Sequence, residues 1–500
     1  MLLLILVFYL ALGSLYALYT PAWQAPDEPA HYNYVRYLAD NGRFPVLHPG
    51  DYPHAYLEQI KHDKFPPNEP VDGIRYESHQ PPLYYALAAP VYLLFHGVQG
   101  PWATPAPGLL PLRLLSVLMG LPLVIITYAI GRRIFPATTG PALAAAAFVA
   151  FLPRQLAAVA QAGNDGLVEL LLAVVLLVLV RWLTAPATAG HENRRLLALG
   201  ILLGLIAITK TTAYFAIALI LAVMIWHWRR TGARPGRIAA DLSLVAAPAA
   251  LLALPWYARD ISVYGWPDFL GLRMHDMIVT GQMRPADFLA QKGAAEFVRQ
   301  LIVVTFESFW AVFGWQGVFL DIRIYEGLAL LSAAVLAGLV LHERQVRDPA
   351  ALAPCRRYAL RLLAACAALS LLTYAWYNTQ FVQFQGRYLF TGLIPLAVAF
   401  ALGWEAALQP RRHAFMLAAG FIVLAVLVAA AGIALGHSLP KWPVAMALAA
   451  AALFAARGQL ARFPARLAAP AAGLFFALPY GVLPFFSLYC LFGAVIPQLR

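Results

Sequence analysis

A chain of 500 residues that is 61% hydrophobic and only 12% charged, with a mean hydropathy of +0.68, is not built as a soluble protein; soluble domains are about a quarter charged. The net charge of +12 follows position along the chain rather than any nucleic-acid-binding patch, and three cysteines without a Cys-x-x-Cys pair exclude a disulfide framework or a zinc knuckle. With a cytoplasmic N-terminus, nineteen of the 36 lysines and arginines fall on the inner side, among them Arg132, Arg133, Arg229, Arg230 and Arg347, as the positive-inside bias requires.

The first apolar run, Leu2 to Tyr19, has no basic start and no Ala-x-Ala cleavage site, and reads as an uncleaved anchor. Residues 21–108 form a polar segment of net charge −4. Its patterns at 31–38 and 83–95 are too short or too amphipathic to cross a bilayer and suit helices lying along its surface. Spans are expected at 110–132, 139–158 and 165–183. The run 196–228 is too long for one span, and arginine pairs close both of its ends. A hairpin turning at Thr209-Lys210-Thr211-Thr212 resolves this. A single tilted helix would strand Lys210 in the bilayer at about 2.5–3.5 kcal/mol. A span at 238–257 leads into a second outer segment, 259–326. Further spans follow at 327–342, 358–377, 388–407, 414–436 and 442–457. The last run, 467–497, is one bent helix or a short hairpin. The fold class is therefore an all-α polytopic membrane protein of about thirteen spans, a single unit over 1–500. Arg259, Arg273 and the stretch Trp310 to Trp315 read as interfacial anchors. His191, His227, His342 and His413 fall at inner ends and are set aside.

The chemistry-bearing residues stand at the outer mouths of the spans. Asp27 and Glu28 follow the first span at once, and their three- and four-residue steps to His31 put all three on one helical face. Such a set could position a general base or hold a divalent cation (Mg, Mn or Zn). It could equally be a helix start with acids at the positive end of its dipole. Glu77 and His79 precede the helix-starting Gln80-Pro81-Pro82. Asn164-Asp165-Gly166 is a turn or cap between spans, preceded by Arg154 on the same side. Lys210 in its tight turn, and Arg387 with Tyr388 at the head of a span, supply outward cations that singly read as snorkelling side chains. Together these acids and cations converge on one membrane face. Convergence of that kind describes a chemical site set in lipid.

These landmarks resemble the GT-C superfamily of membrane glycosyltransferases, such as protein O-mannosyltransferases and lipid A aminoarabinose transferases. The likeness rests on the Asp27-Glu28 pair after the first span, Glu77 ahead of Pro81-Pro82-Leu83-Tyr84-Tyr85, the Asn164-Asp165 turn, the Thr209-Lys210-Thr211 hairpin and Gln385-Gly386-Arg387-Tyr388. It departs at Ser78, where aminoarabinose transferases carry a lysine. The resemblance implies a GT-C-like fold and transfer of a sugar from a polyprenyl-phosphate donor to a lipid, glycan or protein acceptor. The setting it implies is the periplasmic face of a bacterial inner membrane, with membrane lipids around the site and neither nucleotide cofactor nor nucleic acid involved. It assigns Asp27 as general base with Glu28 in support, and Lys210 and Arg387 to the donor phosphate. Glu77, His79, Tyr388 and Asp165 would shape the sugar and acceptor pocket. Asp27, Asp165 and His31 would be the metal ligands. The rival readings are a flippase of lipid-linked sugars and a surface-glycan polymerase or ligase. A flippase would place its charges near the bilayer midplane rather than at one mouth.

Overall fold

The computed structural model describes residues 1–184, 192–346, 353–409, 411–434 and 440–499. His191 and Arg347 lie outside the described residues. The chain is helical throughout, and among the described residues the only β-pairing is an isolated bridge between Phe313 and Val318. Helix is the expected outcome where lipid offers the backbone no hydrogen bonds.

Helix α1 (Leu2–Tyr19) leads into the first outer segment, which holds α2 (Glu28–Asn41), α3 (His54–His62), a 3-10 turn at Tyr76–His79 and α4 (Leu83–Phe95). Then come α5 (Leu109–Ile134), α6 (Gly140–Phe151), α7 (Pro153–Val159), α8 (Asp165–Thr184) and the pair α9 (Glu192–Ala207) and α10 (Ala216–Thr231). The turn between α9 and α10 falls at residues 208–215, so the hairpin reading of 196–228 holds and Lys210 sits at its tip. A 30-residue helix, α11 (Pro235–Tyr264), leads to the second outer segment with α12 (Leu272–Ile278) and α13 (Pro285–Ala311). The chain closes with α14 (Ile322–Val346), α15 (Pro354–Tyr377), a 3-10 turn at Gly386–Gly392, α16 (Leu393–Leu408), α17 (Arg411–Ala434), α18 (Lys441–Gln459), α19 (Ala465–Tyr489) and α20 (Ile496–Leu499).

Among the described residues, ten helical runs are long and apolar enough to cross a membrane, or eleven when α6 and α7 count as one broken span. The sequence led us to expect thirteen. The difference lies in α9 and α18, and in the pair α6–α7, which bends by 59°. The described part of α9 is 16 residues, about 24 Å at 1.5 Å per residue, and it forms one arm of the hairpin with α10. The final run is continuous from Ala465 to Leu499 rather than a hairpin.

The innermost helices are α8, packed by α5, α9, α10 and α15, and α16, packed by α6, α14, α15 and α17. Close approach needs small residues. A Cβ on Gly338 of α14 would lie 1.9 Å from the Gly403 carbonyl of α16, so only glycine lets these two helices touch. The tryptophans read as interfacial anchors serve the interior instead. Trp310 is buried against Phe148 and Phe400, and the Trp315 indole donates to the Trp23 carbonyl at 3.0 Å. Arg259 likewise ties α11 to the first outer segment, donating to the carbonyls of Phe44 and Pro45 while pairing with Asp260.

One buried ion pair pins the first outer segment to the bundle. Arg113, in the first turns of α5, donates to both Glu28 carboxylate oxygens at 2.7 and 2.6 Å, and neither side chain has solvent exposure. Its remaining donors go to the carbonyls of Ala17, Thr20 and Pro21, which end α1 and lead toward α2. Glu28 also accepts from the backbone N–H groups of Trp23 and Ala162. Breaking such a pair strands a buried charge. Arg113→Met is therefore expected to destabilise the protein by about 3–5 kcal/mol, read as a lowered unfolding temperature in detergent. Arg133→Met, which removes an exposed arginine further along α5, serves as the mild control.

Candidate active site

The start of α2, the first residue of α8, the end of α15, the α9–α10 turn, the 3-10 turn at 76–79 and the start of the 386–392 turn meet around a cavity of about 860 Å³. Its paired acids and cations, Asp27, Asp165, Lys210 and Arg387, stand at helix starts or in turns. Asp27 adopts a left-handed conformation (φ 69°) as the N-cap of α2. That twist turns its carboxylate into the cavity while Glu28, the next residue, points to Arg113. The four-residue step to His31 survives as the helical bond from His31 N–H to the Asp27 carbonyl. Asp27 and His31 line the cavity; Glu28 does not. The face expected to carry all three carries two.

Two acid–cation pairs dominate. Arg387 donates to one Asp27 oxygen at 2.6 Å, and the Tyr76 hydroxyl donates to the other at 2.8 Å. Gln385 steadies Arg387 by accepting from its Nε at 2.8 Å. Glycine at 386 is required because a Cβ there would meet the Phe309 backbone nitrogen at 2.3 Å. Lys210 donates to Asp165 at 2.5 Å and to the Asn164 side-chain carbonyl at 2.9 Å. Asn164 in turn donates to Gln80 and to the Thr209 carbonyl, locking the two turns together. Residues 27 and 387, and 165 and 210, are thus coupled across the whole fold.

The other expected residues also reach the cavity. Glu77, His79 and Tyr388 line it. The Glu77 Oε2 atom is buried and has no hydrogen-bond partner in the protein. His79 Nδ1 lies 3.1 Å from the Tyr76 carbonyl, and its ring faces His275 at 4.6 Å between centroids. His31 Nδ1 lies 2.7 Å from the Tyr85 hydroxyl.

Burial and charge set the protonation states. Burial alone would raise the Asp27 pKa, but the Arg387 guanidinium beside it overrides this and holds the carboxyl well below the usual range. Burial raises Glu77, with His31 and Lys210 pulling the other way. The His79 pKa is pushed down to about 4 by burial, and that of His275 to about 3 by burial and then by His79. Both imidazoles are therefore neutral near pH 7.

The metal set expected from sequence, Asp27, Asp165 and His31, is not assembled. Among the described residues no three His, Cys, Asp or Glu side chains come together to hold an ion. The physical reason is that each carboxylate already spends its charge on a cation, Asp27 on Arg387 and Asp165 on Lys210. This donor set does not fit a metal.

Sequence reasoning missed four participants. Arg113 was legible as a lone arginine inside the first turns of an apolar span, unlike the Arg132–Arg133 pair at its end. Gln385 and Tyr76 were named only as parts of motifs, although they orient Arg387 and Asp27. The contacts of His275 with His79 had no sequence signal, because α12 and the 76–79 turn are nearly two hundred residues apart.

Residues 79–256, less than half of the chain, match the model of the dolichyl-phosphate-mannose-protein mannosyltransferase family. This span contains His79, Asp165 and Lys210. No curated protein sequence matches the chain significantly. Among solved structures, ArnT from Cupriavidus metallidurans bound to undecaprenyl phosphate aligns with a TM-score of 0.49 at 14% identity, over 98% of this chain and 77% of that one. The Archaeoglobus fulgidus oligosaccharyltransferase in its apo form aligns with a TM-score of 0.47 at 15% identity, over 95% of this chain and 56% of that one. This chain therefore spans little more than half of the archaeal enzyme.

A depressed aspartate pKa contributes stability that is present above the unfolded value of about 3.9 and lost as pH falls through the folded one. Asp27→Asn is expected to lower the unfolding temperature at about pH 7 and to converge on wild type on acidification. Thermal unfolding in detergent across that range checks the sign.

Proposed function

We propose that the protein is a GT-C-type membrane glycosyltransferase that moves a sugar from a polyprenyl-phosphate donor to an acceptor hydroxyl, at the periplasmic face of a bacterial inner membrane. The observation that carries this reading is the pairing of Asp27 with Arg387 and of Asp165 with Lys210 inside one cavity at a shared mouth of the bundle. The match of residues 79–256 to a lipid-phosphate mannosyltransferase family supports it. A polyprenyl-phosphate donor suits a multi-pass protein whose reactive groups open at the ends of apolar helices. The acceptor class, whether lipid, glycan or protein, follows from whatever enters the polar side of the cavity.

In this scheme Arg387 and Lys210 face the donor phosphate and stabilise the negative charge that gathers on it as the anomeric bond breaks. Asp27 and Asp165 hold these cations in place before substrate arrives, so little reorganisation accompanies the reaction. His79, neutral near pH 7, and Tyr388 bound the sugar pocket as hydrogen-bonding and stacking surfaces. Glu28, enclosed with Arg113, supports the site by fixing the start of α2 rather than by touching substrate. Direct displacement inverts the anomeric centre.

The test is release of lipid phosphate from a panel of radiolabelled polyprenyl-phosphate sugars in purified membranes. Lys210→Met and Arg387→Met are expected to cut turnover by about 10²–10³, with Asp27→Asn falling as well because Arg387 loses its anchor. Movement of intact lipid-linked sugar between leaflets, without release of lipid phosphate, would instead make the protein a flippase.

A further inference from the structure

Transfer to a hydroxyl needs a group that takes its proton, and the carboxylates around the cavity are not equally free to do so. Both Asp27 oxygens are engaged, by Arg387 and Tyr76. Asp165 holds Lys210. Glu28 is closed off by Arg113, and Glu169, one turn along α8 from Asp165, accepts from the Gln155 amide at 2.6 Å outside the cavity lining. Glu58 and Asp276, which also line the cavity, pair with Lys61 and Arg284, so among the described carboxylates of the lining Glu77 alone has no ion-pair partner, and its buried Oε2 accepts no hydrogen bond.

Resting on the transferase reading above, we propose that Glu77 accepts the proton from the acceptor hydroxyl, and that Asp27 is a positioning residue for Arg387. As the acceptor oxygen bonds to the anomeric carbon, its proton passes to the Glu77 carboxylate. The anomeric carbon–oxygen bond breaks, and its electron pair leaves on the polyprenyl phosphate. Product release and loss of the proton to water reset the carboxylate.

The backbone around Glu77 is built to hold it still. It lies in the 3-10 turn at 76–79, whose Ser78 hydroxyl donates to the Arg75 carbonyl at 2.6 Å and whose Glu77 carbonyl accepts from the Gln80 N–H. Pro81 and Pro82 then fix the direction into α4. Around the carboxyl stand Asp27 and His31 from the α2 start, Lys210 from the α9–α10 turn, and the hydroxyls of Tyr85 from α4 and Tyr377 from α15. Burial raises the Glu77 pKa, so its deprotonated, proton-accepting form grows in as pH rises through a value above the ordinary glutamate range. A base with such a pKa works nearer to neutral pH than an aspartate clamped by arginine.

Three measurements on the full-length protein test this. Glu77→Gln should bind undecaprenyl phosphate within about threefold of wild type yet lose about 10²–10⁴ in turnover, together with the limb of the pH profile that rises with pH. Glu77→Asp should recover part of both. Asp27→Asn should instead lose undecaprenyl phosphate binding. In wild type, dicyclohexylcarbodiimide, which modifies protonated carboxyls, should label Glu77 by mass spectrometry, less as pH rises, and leave Asp27 unlabelled. A Glu77→Gln protein with near-normal turnover and an intact rising limb overturns the assignment. So does labelling of Asp27 in preference to Glu77. Wild type that neither binds undecaprenyl phosphate nor releases it from any donor overturns the transferase reading itself, an outcome the variants do not mimic.

Discussion

Charge buried in a low-dielectric setting must be matched, because an uncompensated ion there costs several kcal/mol. The structure is organised around that constraint at the outer ends of its helices. Arg113 and Glu28 form one sealed pair, and Asp27–Arg387 and Asp165–Lys210 form two that open into a cavity. The sealed pair serves the fold. The open pairs keep both of their charges at the surface of the cavity.

The pairs also make the site a property of the complete bundle. Asp27 and Arg387 lie 360 residues apart in sequence, and Glu28 and Arg113 are 85 apart. Neither cation has its carboxylate until the start of α2 meets α5 and the 386–392 turn. An incompletely packed chain would expose unpaired ions to lipid, which couples correct assembly to a competent cavity. The glycines at 386, 338 and 403 contribute by letting backbones approach where a side chain would hold them apart.

Much of this was legible from local pattern. The hairpin around Lys210 followed from arginine pairs that both prefer the cytoplasm, and the structure folds it that way. The polar segment 21–108 and its short helices followed from interrupted apolar runs. The convergence of Asp27, Glu77, Asp165, Lys210 and Arg387 followed from placing every span in one topology. What failed did so for geometric reasons. Helical periodicity placed Glu28 beside Asp27, but the left-handed φ at Asp27 sends neighbouring carboxylates to opposite sides. A count of thirteen spans treated every apolar run as a crossing, whereas among the described residues ten helices, or eleven with the bent α6–α7 pair, are long and apolar enough. The tryptophans near 310–315 read as membrane anchors because aromatic residues favour interfaces, yet here they pack the interior.

By itself, the sequence determined that this is a polytopic helical membrane protein. Hydropathy and the positions of arginines are written residue by residue and need no partner to be read. It also singled out ionisable residues that the fold gathers at one cavity. Only the tertiary structure decided how those residues are partnered. That pairing separates Glu28, locked to Arg113, from Asp27, locked to Arg387, and leaves Glu77 with an unpartnered oxygen. The role of a carboxylate depends on what neutralises it, and its neutralising partner is chosen by contacts between segments hundreds of residues apart.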